Sequence, residues 1–186
     1  MGPRAAGVEG LRGCRRPRLG SGPRFATVLS NYCTVRILIA AVGKLRDAQS
    51  RALFDLYAGR LTWPLTVREV EAKRVLASDA MRAEEARLLL EAIDERATVV
   101  ALDEHGEDLG STAFADRVRA WRDDGVPELA FAIGGADGHG PALLKRAAVT
   151  VAFGRMTWPH RLARVMLVEQ IYRAQQIIAG HPYHRE

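Results

Sequence analysis

Two stretches of this 186-residue chain carry side chains that could do chemistry. The last six residues read His181-Pro182-Tyr183-His184-Arg185-Glu186. A terminus so dense in titratable and hydrogen-bonding groups can line a site for a polar substrate, though a solvated, frayed chain end has the same look. The other stretch is Gly154-Arg155-Met156-Thr157-Trp158-Pro159-His160-Arg161, set between a β-branched, apolar run at 149–153 and a long apolar-rich pattern from 160 onward. It reads as a loop at the carboxyl end of a strand, opening into a helix. Ligands of open α/β sheets bind at such junctions, because backbone N–H groups and the helix dipole converge there. Two further loops, one after Leu102 and one at 134–140, also follow strand-like runs. If those three strands are parallel neighbours, all three loops open on one edge. The heptapeptide Gly134-Gly135-Ala136-Asp137-Gly138-His139-Gly140 lacks the first spacing of a dinucleotide fingerprint, and Pro141 stands where a P-loop has its lysine. A nucleotide gripped by its phosphates is not expected. Leu102, Met156 and Trp158 offer apolar walls beside exposed backbone, which suits an adenosyl group without phosphates. A plain multi-turn connection is the competing reading of the glycine loop.

The elements that must position these loops alternate along the chain. Apolar runs at 35–42, 65–70, 98–102, 128–133 and 149–153 read as strands; helical spacing marks 47–61, 78–96, the stretch from Ser111 to 123, a short helix from Pro141, and 160–179. Ser78 and Ser111 are expected to cap their helices, and Asp103-Glu104-His105-Gly106 to form a polar turn. Alternation of this kind predicts an α/β fold, a mostly parallel sheet with helices on both faces. The last helix carries apolar residues around much of its circumference, among them Leu162, Val165, Met166, Ile171 and Ile178. A helix of that kind is either wholly internal or shared with a partner, and one so near a chain end fits a two-fold interface between copies.

Charge divides the chain. Residues 1–34 hold six arginines against Glu9 alone, which accounts for the whole net charge of +5. This Gly-, Pro- and Arg-rich segment is expected to be disordered, and residues 35–186 to form the single globular domain. The abrupt start of the fold at Val35 fits an over-extended start, with a targeting peptide as the alternative. Within the globular part, 35–140 has 14 basic against 19 acidic side chains, and 141–186 has 7 against 2. The basic back suggests a polyanionic partner such as nucleic acid, with a chance surface asymmetry as the alternative. Both cysteines, Cys14 and Cys33, lie in or beside the leading segment, so no disulfide framework is expected and an intracellular place fits. No apolar run approaches the ~20 residues that span a bilayer.

The sequence resembles the bacterial large-subunit ribosomal RNA pseudouridine N3-methyltransferase family, one of the trefoil-knotted SPOUT methyltransferases. The residues that carry the likeness are Val35 to Lys44 (VRILIAAVGK), Ile133-Gly134-Gly135 with Gly138, Thr157-Trp158-Pro159-His160, Arg164-Val165, Glu169-Gln170-Ile171-Tyr172-Arg173-Ala174 and the closing hexapeptide. Ala136, Asp137 and Trp158 depart from the family's usual proline, glutamate and leucine, and residues 1–34 have no counterpart. The resemblance implies a cytoplasmic homodimer with a trefoil-knotted C-terminal half. It implies S-adenosyl-L-methionine as cofactor, held by Leu102, Gly135, Gly154, Arg155, Met156, Thr157, Trp158 and Pro159. The substrate it implies is a pseudouridine of large-subunit ribosomal RNA in the assembled ribosome. That acceptor carries an imide proton that must leave, so His181 and His184 are candidate bases, with His160 third. Tyr183 could stack on or hydrogen-bond to the base, and Arg185 could hold a phosphate or a uracil carbonyl. Glu169 reads as a structural partner of Arg164 or Arg173. No cysteine or acidic cluster completes a metal site around the two tail histidines, so no metal is expected. The competing functions are a non-catalytic ribosome- or RNA-binding factor and a small α/β enzyme acting on a free nucleotide.

Overall fold

The structure, a computed structural model, describes residues 35–184 except for the side chain of His184. The expectations for residues 1–34, for Arg185 and for that side chain lie outside the described residues. Five strands, β1 (Arg36–Val42), β2 (Leu65–Val70), β3 (Thr98–Asp108), β4 (Glu128–Ile133) and β5 (Val149–Ala152), form one sheet in the order β2-β1-β4-β3-β5. Every pairing is parallel. Four helices connect them, α1 (Ala48–Ala58), α2 (Ser78–Ala92), α3 (Ser111–Asp123) and α4 (Pro141–Arg146), and α5 (His160–Ile178) follows β5, with a 3-10 turn at Pro182–His184. The expected alternation and the α/β class are therefore present.

The central strands are buried on both faces, as near-continuous apolar runs require. On one face Ile37, Ile39, Phe131 and Val100 pack with Phe54 of α1, Phe114 and Val118 of α3, and Leu167 and Ile171 of α5. On the other, the small side chains of Ala40, Ala101, Ala130 and Ala132 meet Ala86 and Leu89 of α2 and Leu143 of α4. β2 is the exposed edge strand, which explains its weaker apolar pattern.

Five local expectations are corrected. β3 does not stop at Leu102: its pairing with β5 shifts between Leu102 and Glu107 and then resumes through Asp108. Asp103 accepts the backbone N–H of His105 at 2.9 Å, so the expected polar turn is an excursion inside a longer strand. α2 ends at Ala92, because Asp94 accepts the N–H of Arg96 at 2.8 Å and turns the chain. Ser78 is the first residue of its helix, not the cap, which is Ala77 and has no side-chain bond. Ser111 likewise follows its N-cap, Gly110, and its hydroxyl instead donates to Gln170 of α5 at 2.8 Å.

α5 runs from one end of the sheet to the other. Near its start, Arg164 is 1% exposed and donates to Glu69 of β2 at 2.6 Å and to the carbonyl oxygens of Gly43 and Val42 at 2.9 and 3.2 Å. Its C-terminal turns are tied to the opposite edge, where the buried Gln175 accepts from the backbone N–H groups of Thr62 and Trp63 just before β2. A buried guanidinium is tolerated only when paired, and stripping away Glu69 would cost about 3–5 kcal/mol. Glu169 takes Arg173 as its partner at 2.9 Å, whereas Arg164 takes Glu69.

Candidate functional site

The loops at the carboxyl ends of β3, β4 and β5 do open on one edge, and together they enclose a cleft of about 870 Å³. Leu102, Gly135, Gly154, Met156, Thr157, Trp158 and Pro159 all line it. Arg155, expected among them, is exposed and does not. The 153–159 segment crosses from β5 over the ends of β3 and β4 to reach β1, where a β-carbon built on Gly43 would lie 3.7 Å from Nε2 of His160. Three features fix its path. Gly154 has φ +84, a left-handed conformation that favours glycine. Trp158 donates its indole N–H to the Phe153 carbonyl at 2.9 Å, and Thr157 donates its hydroxyl to Glu104 of the β3 excursion at 2.6 Å. Trp158 thus closes its own loop.

Sequence reasoning missed two buried groups beside the cleft. His139 is 6% exposed, and its Nε2 lies 2.9 Å from the Leu102 carbonyl. A carbonyl only accepts, so Nε2 carries the proton and Nδ1, which has no partner, is left as an acceptor. Burial holds this imidazole below its ordinary pKa, so it is neutral at neutral pH. His139 therefore ties the glycine loop to the end of β3's regular pairing. Glu85, on α2, is also buried, and one of its oxygens has no partner. Burial raises its pKa, a backbone hydrogen bond from Gly135 opposes that, and the nearby Asp137 adds to it. A β-carbon on Gly135 would stand 2.7 Å from both carboxylate oxygens. The signal in the sequence was no more than a second glutamate on a helix, and nothing in its spacing pointed to the glycine loop.

The tail is elsewhere. Tyr183 packs edge-on against Tyr172 with centroids 4.8 Å apart and donates its hydroxyl to Glu169 at 3.3 Å. Burial and the Glu169 carboxylate push that phenol up to about 12, so it stays protonated. His181 accepts the backbone N–H of Tyr183 at 3.2 Å. The 19 residues of α5 put His181 roughly 28 Å from the helix start at the cleft, at 1.5 Å per residue, while the Tyr183 ring folds back to the middle of the helix at Glu169. Within one chain, then, the cofactor-loop residues come together and the tail residues do not join them. His160, the third candidate base, does line the cleft, where burial first and then Arg164 and Arg161 lower its pKa. It is the first residue of α5, whose N-cap is Pro159.

Residues 35–184 match the family model described as "Predicted SPOUT methyltransferase". The chain belongs to the SPOUT methyltransferase family. This SPOUT chain is 54% identical over 151 residues to the ribosomal RNA large subunit methyltransferase H of Paramagnetospirillum magneticum, covering 81% of this chain and 99% of that one. The same protein from Rhodospirillum centenum is 54% identical with the same coverage, and that from Rhodopseudomonas palustris strain TIE-1 is 46% identical over 159 residues. Among solved structures, the SpoU methyltransferase AviRb from Streptomyces viridochromogenes aligns with a TM-score of 0.43 at 15% identity, and the match spans 81% of this chain and 62% of that one. Among the described residues no group of three His, Cys, Asp or Glu side chains could hold a metal, and no helix is long and apolar enough to cross a membrane.

Proposed function

We propose that this chain transfers a methyl group from S-adenosylmethionine to N3 of a pseudouridine in large-subunit ribosomal RNA, on the assembled ribosome, in the cytoplasm. The observation that carries the reading is the cleft. Leu102, Met156 and Trp158 give it apolar walls, glycine backbone is exposed at 135 and 154, and Asp103, Glu104 and Asp137 border it against Arg82 alone among lysines and arginines. Such a surface suits an adenosyl group joined to a cationic sulfonium and has no array of cations for phosphates. The relatives' printed name, ribosomal RNA large subunit methyltransferase H, supports the substrate class.

When bound, S-adenosylmethionine supplies an electrophilic methyl group. The chain's own part is alignment. The loops would hold the donor so that the acceptor attacks in line, and positioning of that kind contributes several kcal/mol to lowering a barrier. The acceptor nitrogen must also shed its imide proton to a nearby base. In this reading the base comes from the His181–His184 tail of a second copy, since each chain's tail lies a helix length from its own cleft. Tyr183 and Arg185 of that tail then face the acceptor base and the RNA. A dimer that pairs α5 helices head to tail brings each tail to the other's cleft. The C-terminal half is read as the trefoil knot of the family, in keeping with the 153–159 crossing.

Calorimetry with S-adenosylmethionine tests the donor assignment. Saturable one-site binding is expected, and a chain that binds ribosomes but no donor would be a plain RNA-binding factor.

A further inference from the structure

The loops that leave β1 and β2 lie side by side, since those strands are neighbours, and Arg164 clamps the first turns of α5 against them. This corner of the molecule displays Lys44, Arg46, Lys73, Arg74 and Arg161, all exposed. Lys44 and Arg46 share a single exposed carboxylate, Glu71, at 3.7 and 3.4 Å. Lys73, Arg74 and Arg161 have no ion pair among the described residues. Of the other acids nearby, Glu69 is taken up by the buried Arg164, and Asp47 accepts the N–H of Ser50 as the N-cap of α1 while also attracting Arg161. Next to Lys73 and Arg74, Val75 is 95% exposed. At the opposite end of the sheet the connections carry Asp94, Glu95 and Asp124 beside Arg60 and Arg96, so that end has no such surplus of cations. His160 adjoins Gly43 and also lines the cleft, so the basic corner runs up to the rim of the candidate site.

We propose that this corner, with the 71–77 loop as its outer arm, grips the sugar-phosphate backbone of the RNA substrate and sets the angle at which the methyl acceptor enters the cleft. The inference rests on the RNA reading above and adds the contact surface. The cleft's own rim, with Asp103, Glu104 and Asp137, repels phosphate, so the backbone must be held beside the cleft rather than over it. Five cations within reach of one strand give the sequence-independent attraction that positions a nucleic acid without reading its bases.

The test uses the full chain with Lys73→Glu/Arg74→Glu and, as a milder pair, Lys73→Gln/Arg74→Gln. Both sites are exposed loop positions. The control is Lys145→Glu, exposed at the end of α4, where Arg146 reaches the carbonyls of Glu95 and Ala97 at the opposite edge. Methylation kinetics on ribosomes that lack the modification should show KM for ribosomes raised at least about tenfold in the Glu pair, with donor affinity and kcat little changed. The slope of log(kcat/KM) against log salt should become shallower by about 1–2, the share of two phosphate contacts. Light scattering should give the wild-type mass. A ribosome KM and salt slope matching wild type would overturn the proposal. So would weaker binding with an unchanged salt slope, which points to a protein contact through Val75. If the wild-type chain methylates no ribosomes, the enzymatic reading fails instead, and co-sedimentation of the same variants with ribosomes still decides whether the corner binds RNA.

Discussion

Gly135 sits under a carboxylate. A β-carbon there would lie 2.7 Å from both oxygens of Glu85, so a side chain at 135 requires that buried carboxylate to shift. From the sequence alone, the absence of a side chain there reads as room for a ligand; the structure adds a protein wall on the other side. Gly135→Val should therefore fold with a displaced glycine loop and bind S-adenosylmethionine at least about tenfold more weakly, the scale of ~1–3 kcal/mol for overpacking a tight site. A second variant separates the causes. Gly135→Ala should regain much of its donor affinity in a Glu85→Ala background if Glu85 sets the constraint. Calorimetry showing the same loss in both backgrounds would mean that the ligand itself excludes the side chain.

At the scale of the element, α5 explains what was legible and what was not. Its apolar residues on several faces are visible in sequence, and the structure buries Leu167, Val168, Ile171 and Ala174 against the sheet. Leu162 on the same helix stays 44% exposed. The sequence did not reveal that Leu53 and Leu56 of α1, which packs on α5, are 49% and 47% exposed and extend that apolar surface. Periodicity reports which residues of one helix are apolar; it cannot report which second helix lies alongside. The same limit hid Arg164's pairing with Glu69, 95 residues earlier in the chain, and the buried His139. The loops of the cleft were legible because each begins where an apolar run ends, a local signal. The tail's distance from the cleft was not, because it depends on the direction in which α5 crosses the sheet. We expect Leu53→Asp and Leu162→Asp to give monomers by light scattering, with methyl transfer lost and donor binding reduced far less. A monomeric variant with full activity would rule out a shared site.

For the whole molecule, the proposed division places the enzyme in residues 35–186 and gives the basic leader no part in the reaction. Among the described residues, those from Val35 onward supply a sheet covered on both faces and a lined cleft. A chain beginning at Val35 should keep the melting temperature of the full-length protein, and its kcat/KM within about twofold, because the residues from Val35 onward form the sheet and its covering helices. A large loss of activity on that truncation would assign the leader a role in binding RNA.

The central claim is the reaction. Purified protein, S-adenosylmethionine and ribosomes from a strain lacking the gene should be incubated together, and the large-subunit RNA digested and its nucleosides analysed by mass spectrometry. The account predicts one new methyl group per large-subunit RNA, on N3 of a pseudouridine, formed on assembled ribosomes and not on free nucleosides. A methyl group on any other nucleoside, or none on ribosomes from that strain, would contradict it.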